Sequence, residues 1–472
     1  MNLRNVIKNT GAVTASTLLS QAMAAIVVIL LARYLNPEGL GLYTTAYAFV
    51  NIFSYFNELG LSQLMVQDGS RDAAKLPVCF GNALLVKGVA VGIVFMVMML
   101  CMALMGYSDI QCYLIVIVGI GMMFNNVNQT MYNYFQAREK MAVMAGYQFL
   151  QALLIALLTL VVIYGLHLNV VAVTVTHLIT YALLTILLVL ALRKLVRPAP
   201  DRSALPDMIA RGLPFGIQRA VSQIFPNLSI FVLSLSFLMV SEAEIGIFGA
   251  ARSLVFPLIF LPNSFAVSIY PILFRLGAGD RLRHQAAMEK VFKILAAVGI
   301  PVSFFLCVLS PEIIGWLYGD HYAGTAAVFA VLCWYFALEC LNYPLGDVML
   351  TMNRQWQRTV FQGIALVLLV LLTLWAQPRY GLVGSAWAVL IVEACLFLSY
   401  YIFIRLKMYP IRIWRPLLPV LGASLAMLGV AYGIKSWHPL LAAGVAGGVY
   451  VLVLLALDKE LRGLLKRGVR GA

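Results

Sequence analysis

Apolar runs long enough to cross a bilayer recur along the whole chain. They lie at about 12–32, 40–65, 79–105, 111–133, 142–164, 169–192, 212–238, 245–272, 290–310, 322–350, 356–376, 382–404, 413–434 and 439–457. A helix rises 1.5 Å per residue, so about 20 apolar residues cover a hydrocarbon core of about 30 Å. The spacing predicts an all-α polytopic membrane protein with about 14 transmembrane helices. Composition agrees, because 62% of the 472 residues are hydrophobic and only 11% are charged, against roughly 45–50% and 25% in soluble domains.

The basic residues orient these spans. With the N-terminus in the cytoplasm, 26 of the 33 Lys and Arg fall in inside segments, and only Arg33, Arg379 and Lys435 fall outside. Lys87, Arg219, Arg252 and Lys293 remain within spans. Such a bias is the positive-inside pattern, and it places both termini in the cytoplasm. It also accounts for the net charge of +14 as membrane topology rather than nucleic-acid binding. No outside loop exceeds about a dozen residues, which leaves no room for an extracytoplasmic domain. Ala22-Met23-Ala24 imitates a cleavage site, but the apolar run continues to Ala32, so the segment reads as a first membrane helix.

The seven cysteines form no Cys-x-x-Cys pair, and the five histidines show no metal-ligand spacing. The cysteines read as small apolar helix residues. His177 lies inside a span and reads as a packed, hydrogen-bonded histidine before a proton relay.

A repeat organises the spans. Asn36–Tyr47 lines up with Ser241–Arg252: a polar turn, then Gly, aliphatic, aromatic and small residues in the same order. Together with the polar connector after span 6, this divides the chain into an N-lobe (1–192), a cytoplasmic connector (193–211), a C-lobe (212–404), and two further helices with a basic tail (405–472). Six is even, so the lobes have the same orientation. They are related by a pseudo-two-fold axis normal to the membrane, with a site between them.

The charged residues inside spans are the candidate functional residues. An arginine at the centre of a lipid-facing helix costs about 2.5–3.5 kcal/mol, so Arg219 and Arg252 should face a partner or a wet cavity. Arg219, Gln223 and Asn227 recur every fourth position and share one helix face. Span 2 carries Thr44, Tyr47, Asn51, Tyr55 and Glu58 on one face, and span 4 carries Asn125, Gln129 and Asn133, with Asn126, Asn128 and Tyr132 alongside. These faces either line a cavity suited to sugar hydroxyls or serve as interhelical hydrogen bonds. Lys87 is a further candidate cavity cation, although Lys87 and Lys293 both lie close enough to the cytoplasmic side to snorkel. Glu58, Glu339, Asp347 and Glu393 are the intramembrane acids. They either balance the arginines or bind a coupling proton or sodium ion.

Ala32–Glu38, Gly41-Leu42-Tyr43 and Asn57–Leu61 resemble the N-terminal signature of oligosaccharide flippases, and Leu317–Tyr322 and Gly346–Arg354 also look like that family. These flippases are the polysaccharide-transporter branch of the multidrug/oligosaccharidyl-lipid/polysaccharide (MOP) exporter superfamily. The resemblance implies a MATE-like fold in the bacterial cytoplasmic membrane. It implies translocation of an undecaprenyl-pyrophosphate-linked oligosaccharide to the periplasmic leaflet, by alternating access through a central cationic cavity. Arg219 and Arg252 would bind the pyrophosphate or acidic sugars. The resemblance implies no cofactor beyond a proton or sodium gradient. It implies a polysaccharide polymerase and a chain-length regulator as partners, and a single chain suffices as the functional unit.

Two alternatives remain. A multidrug or organic-cation antiporter of the same superfamily would favour an acid-dominated cavity. A membrane enzyme of polysaccharide assembly would need sizeable periplasmic loops or a nucleophile–base pair, and the sequence offers neither.

Overall fold

The computed structural model describes residues 3–72, 74–434 and 439–458. The expected basic tail beyond Asp458 and the outside residue Lys435 lie outside the described residues. The fold is all-helical and polytopic, with about 14 membrane helices. Two long elements each carry two spans. α1 (Leu3–Ser54) breaks at Asn36, where φ is 58°. Pro37 follows, and proline disfavours the helical conformation of its predecessor. α13 (Gln355–Lys407) breaks at Gly381, where φ is 59°, just after Pro378. Such backbone is open to glycine and tolerated by asparagine.

The elements between them are α2 (Leu61–Arg71), α3 (Leu76–Leu104), α4 (Asp109–Ala137), α5 (Met141–Leu160), α6 (Val170–Leu192), α7 (Leu205–Leu233), α8 (Glu242–Val255), α9 (Phe260–Gly279), α10 (Arg281–Val308), α11 (Ser310–Tyr318) and α12 (Thr325–Thr351). The chain closes with α14 (Trp414–Gly433) and α15 (Pro439–Leu457). Nine helices among the described residues are long and apolar enough to cross a membrane, counting each kinked helix once. α7 is not among them, since Gln218, Arg219, Gln223 and Asn227 interrupt its apolar stretch.

The second span is shorter than the sequence suggests. Helix stops at Ser54, a 3-10 turn covers Tyr55–Asn57, and Leu59 and Gly60 take positive φ of 41° and 71° before α2 begins. Glu58 therefore sits at a break in the chain, not within a continuous helix. α7 in turn starts earlier than expected, inside the polar connector.

Contacts divide the chain into two compact units, Met1–Ala250 and Ala251–Ala472. In the first unit, α4 packs on α6 and α3, and α1 packs on α5, α4 and α7. In the second, α12 packs between α10 and α13, while α14 and α15 pair and lean on α10. Large apolar side chains remain exposed along α3 (Val89, Ile93, Leu100) and α6 (Ile179, Leu183, Ile186). A lipid-facing surface needs no polar cover, so these are expected on a membrane helix.

The repeat has a physical expression inside the first unit. A Cβ on Gly41 would collide with the carbonyl oxygen of Glu242, and a Cβ on Gly246 would collide with that of Pro37. Gly41 aligns with Gly246, and Pro37 with Glu242, in the sequence repeat. Equivalent residues thus exchange equivalent contacts, as a local two-fold relation requires. Two glycines permit the helices to touch backbone to backbone.

Candidate functional site

Three charged side chains meet in the first unit. Glu58 Oε2 accepts from Lys87 Nζ at 2.6 Å, and Glu58 Oε1 lies 3.8 Å from Arg219 Nη1. Lys87 also donates to Ser62 Oγ at 2.6 Å. One carboxylate therefore serves two cations, and the cluster carries a net positive charge. Burial grades across it: the side chains of Lys87 and Glu58 are 4% and 12% exposed, and that of Arg219 is 45% exposed.

The backbone explains why Glu58 reaches α7. The Leu59–Gly60 turn is wedged against Gly212 and Gly216, which are spaced as Gly-x-x-x-Gly on α7. A Cβ on Gly212 would come 2.8 Å from Leu59 O, and one on Gly216 would come 2.7 Å from Leu59 C. Small residues at this spacing let two backbones approach closely. Arg219 stands one turn beyond Gly216, so the same seat sets it against Glu58. Asn227, further along α7, donates to Tyr55 Oη at 3.1 Å. Of the predicted α7 face, Arg219 and Gln223 are exposed and Asn227 is buried. Two turns before Arg219 on α7, Arg211 bridges Asp68 at 2.5 Å and Asp207 at 3.2 Å.

Other expectations need correction or refinement. Lys87 does not snorkel; it is buried in the ion cluster. Lys293 does not snorkel either, since it pairs with Asp458 at 2.6 Å. Tyr47 hydrogen-bonds His177 Nδ1 at 2.7 Å, with Tyr43 and Tyr181 packed around the imidazole ring. Asn128 holds α4 to α6 by donating to Tyr181 O and accepting from Thr185, so this asparagine is an interhelical tie. Asn51, Asn125, Gln129 and Asn133 are half-buried, and Asn125 reaches Met122 Sδ at 3.7 Å.

The second unit holds acids with separate partners. Asp347 accepts from Tyr270 at 3.0 Å and lies 3.9 Å from Arg358. Glu393 is bound by the Asn342 carboxamide. Tyr335 donates to Glu339 at 2.6 Å, and its ring stacks on Phe256 at 5.0 Å. The Arg252 guanidinium lies 4.5 Å from the Phe256 ring centroid, a cation–π arrangement. Arg252 is thereby linked to Glu339 through two aromatic rings.

Sequence reasoning missed Arg358 and Ser62. Arg358, at the start of the run 356–376, is one of the basic residues grouped with the inside segments, yet its side chain is 19% exposed and turns back to Asp347. The signal was the short turn after α12, which returns the chain eleven residues after Asp347. Ser62 gives no such signal, because the turn at Leu59–Gly60 separates it from Glu58 and its partner Lys87 is 25 residues away. Among the described residues no three His, Cys, Asp or Glu gather as a metal site, and all seven cysteines are free thiols.

Two groups at helix ends, outside the apolar runs 245–272 and 290–310, are perturbed. Burial first, and then the neighbouring Glu38 carboxylate, push the Glu242 carboxyl up. Burial pushes His284 down, where its ring nitrogens meet Tyr409 and Thr351 at 2.8 and 2.9 Å.

Comparison with known proteins adds the following. A family model described as polysaccharide biosynthesis protein matches residues 6–277. The fold is similar to that of the lipid II flippase MurJ in an inward closed conformation. The TM-score is 0.79 at 18% identity, over 95% of this chain and 99% of that one. It is also similar to an inward-facing multidrug resistance MATE family transporter of the MOP superfamily, at TM-score 0.68 and 14% identity, over 82% and 94% of the two chains. The MATE multidrug transporter DinF-BH matches at TM-score 0.63 and 18% identity, over 86% and 95%. No curated protein matches the sequence.

Proposed function

Because the chain belongs to the polysaccharide biosynthesis protein family, we propose that it is a flippase for an undecaprenyl-pyrophosphate-linked oligosaccharide. It moves the head group from the cytoplasmic to the periplasmic leaflet of the bacterial inner membrane, with both termini in the cytoplasm. The observation that carries this reading is the sharing of Glu58 by Lys87 and Arg219. An uncompensated positive charge within a membrane span is costly, and a diphosphate supplies the missing negative charge. Arg219 is the more exposed and more weakly held cation, so it is the group free to turn to a substrate. Guanidinium binds phosphate oxygens through paired N–H donors. Arg252, stacked on Phe256, is a second candidate cation.

Flipping makes and breaks no covalent bond. The cluster replaces part of the hydration that a charged, hydroxyl-rich head group loses on entering the membrane, while the lipid tail stays in hydrocarbon. Transport proceeds by alternating access, through rocking of the two six-helix lobes read from the sequence. The fold similarity to MurJ supports this reading over the drug antiporter. A polysaccharide polymerase and a chain-length regulator would take up the product, and one chain is a sufficient unit.

Leaflet translocation in proteoliposomes tests the proposal. The purified protein is reconstituted with a polyprenyl-diphosphate oligosaccharide, and a membrane-impermeant glycan-modifying enzyme is added. Wild type should make the inner-leaflet pool accessible at a rate above that of empty liposomes. An unchanged inner pool, together with export of a fluorescent organic cation that Glu339→Gln or Glu393→Gln abolishes, would replace the flippase by the antiporter.

A further inference from the structure

Arg252 stands in the last turn of α8, and Phe256 opens the 3-10 turn Phe256–Ile259 that follows it. Pro257 sits in that turn, where the α-helix gives way. Four residues apart, the two side chains share a face, and the guanidinium carbon lies over the Phe256 ring, 4.5 Å from its centroid. The Phe256 ring also stacks on Tyr335 of α12, with 5.0 Å between centroids and 13° between planes. Tyr335 is fixed in turn: it is buried, and its hydroxyl donates to Glu339 one turn on. The Ser253 hydroxyl meets that of buried Tyr318 at 2.9 Å, which pins the same turn of α8 to the end of α11. The repeat shows that this seat is particular to the second unit. Arg252 aligns with Tyr47, and Phe256 with Asn51. Tyr47 is held instead by His177 Nδ1 at 2.7 Å. The cation therefore stands where an aromatic ring follows one turn later, and a neutral side chain stands where none does.

We propose that Phe256 and Tyr335 are positioning residues, whose stacked rings hold the Arg252 guanidinium so that its N–H edge meets the diphosphate of the lipid. The proposal rests on the flippase reading. A guanidinium carries its five N–H donors in one plane. A ring face attracts the charge without offering an acceptor atom, so this contact leaves those donors to a ligand. The ring is also neutral and cancels none of the charge, whereas Glu58 offsets part of that of Arg219. A phosphate edge is best met by a planar fork held in one orientation. An arginine already held in place loses less rotamer freedom when the ligand arrives.

The test is equilibrium binding of bare polyprenyl diphosphate to the full chain in detergent, with thermal unfolding recorded for every variant. Phe256→Met keeps a large apolar side chain and removes the ring. It should weaken binding about fivefold, the scale of one cation–π contact; Phe256→Leu serves in its place should Phe256→Met not fold. Phe256→Tyr restores a ring and should bind like wild type. Arg252→Lys keeps the charge without the fork and should bind at least as weakly as Phe256→Met. In an Arg252→Ala background, Phe256→Met should cost nothing further, because the ring acts through that guanidinium. A ring that only supports the fold would weaken binding equally in both backgrounds, and that result overturns the proposal. Wild-type affinity in Phe256→Met or in Arg252→Lys also overturns it, as does a Phe256→Tyr protein no better than Phe256→Met. The flippase reading is judged apart, by whether wild type binds the diphosphate and Arg219→Ala weakens that binding. Failure of wild type to bind overturns both readings together.

Discussion

The two units handle intramembrane charge in different ways. In the first, one carboxylate, Glu58, is shared between two cations. In the second, three acids each have their own donor: Tyr270 and Arg358 for Asp347, Tyr335 for Glu339, and Asn342 for Glu393. The first arrangement leaves positive charge over, and the second leaves negative charge met mostly by neutral donors. A membrane protein has no bulk counterion inside its spans, so the sign of the surplus says what a region is prepared to receive. The proposed flippase needs a region that receives an anion, and the surplus of the first unit has the matching sign. In the second, Asp347 ties α12 to α9 and Glu393 ties α13 to α12, while Glu339 is bound within α12.

That contrast can be broken by substitution, beginning with Glu58. Glu58→Ala strands the buried Lys87 ammonium, and removing one partner of a buried pair costs about 3–5 kcal/mol. Unfolding in detergent should show a loss of that size, and adding Lys87→Met should restore much of it, since the two residues are in direct contact. A small loss in the single variant would mean that Lys87 is not held by Glu58.

Arg358→Ala should cost less, about 1–3 kcal/mol, because Tyr270 still donates to Asp347 and the pair is longer. If it cost as much as Glu58→Ala, the second unit would depend on ion pairing just as the first does. Glu393→Gln should fall within about 1 kcal/mol, because the new amide oxygen still accepts from Asn342. The same variant should flip lipid at close to the wild-type rate. A large fall in transport without a change in stability would instead make Glu393 a coupling site.

His284 gives the smallest effect. Burial holds it below its ordinary value of 6.5, so the unfolded chain binds the proton first as pH falls. The stability contributed by the neutral ring is therefore full above about pH 6.5, and it declines as pH drops below that value towards the folded pKa. Melting temperatures at pH 7.5 and 5.5 should differ more in wild type than in His284→Gln.

Much of the fold is legible in the sequence because length and apolarity suffice to place a membrane helix. The alternation of Lys and Arg then constrains the count. The repeat is legible at Gly41 and Gly246 because a backbone contact leaves no choice of residue. The candidate site is legible only in part. Arg219 announces itself as a charge in a span, and Glu58 as an acid in one. Their pairing with Lys87 is not visible, because it depends on a left-handed turn at Leu59–Gly60 seating on the α7 glycines. Arg358 is hidden for a similar reason: a basic residue at the end of a span is assigned to the water boundary, and only the folded chain turns this one inward.

The central claim is that Arg219 is the cation the substrate takes. The direct measurement is leaflet translocation by Arg219→Ala beside wild type, in proteoliposomes, with thermal unfolding recorded for both. Arg219 is half exposed and its contact with Glu58 is long, so the account predicts a stability change of no more than about 1 kcal/mol and a translocation rate at least tenfold lower. Translocation at the wild-type rate by a folded Arg219→Ala protein would contradict it.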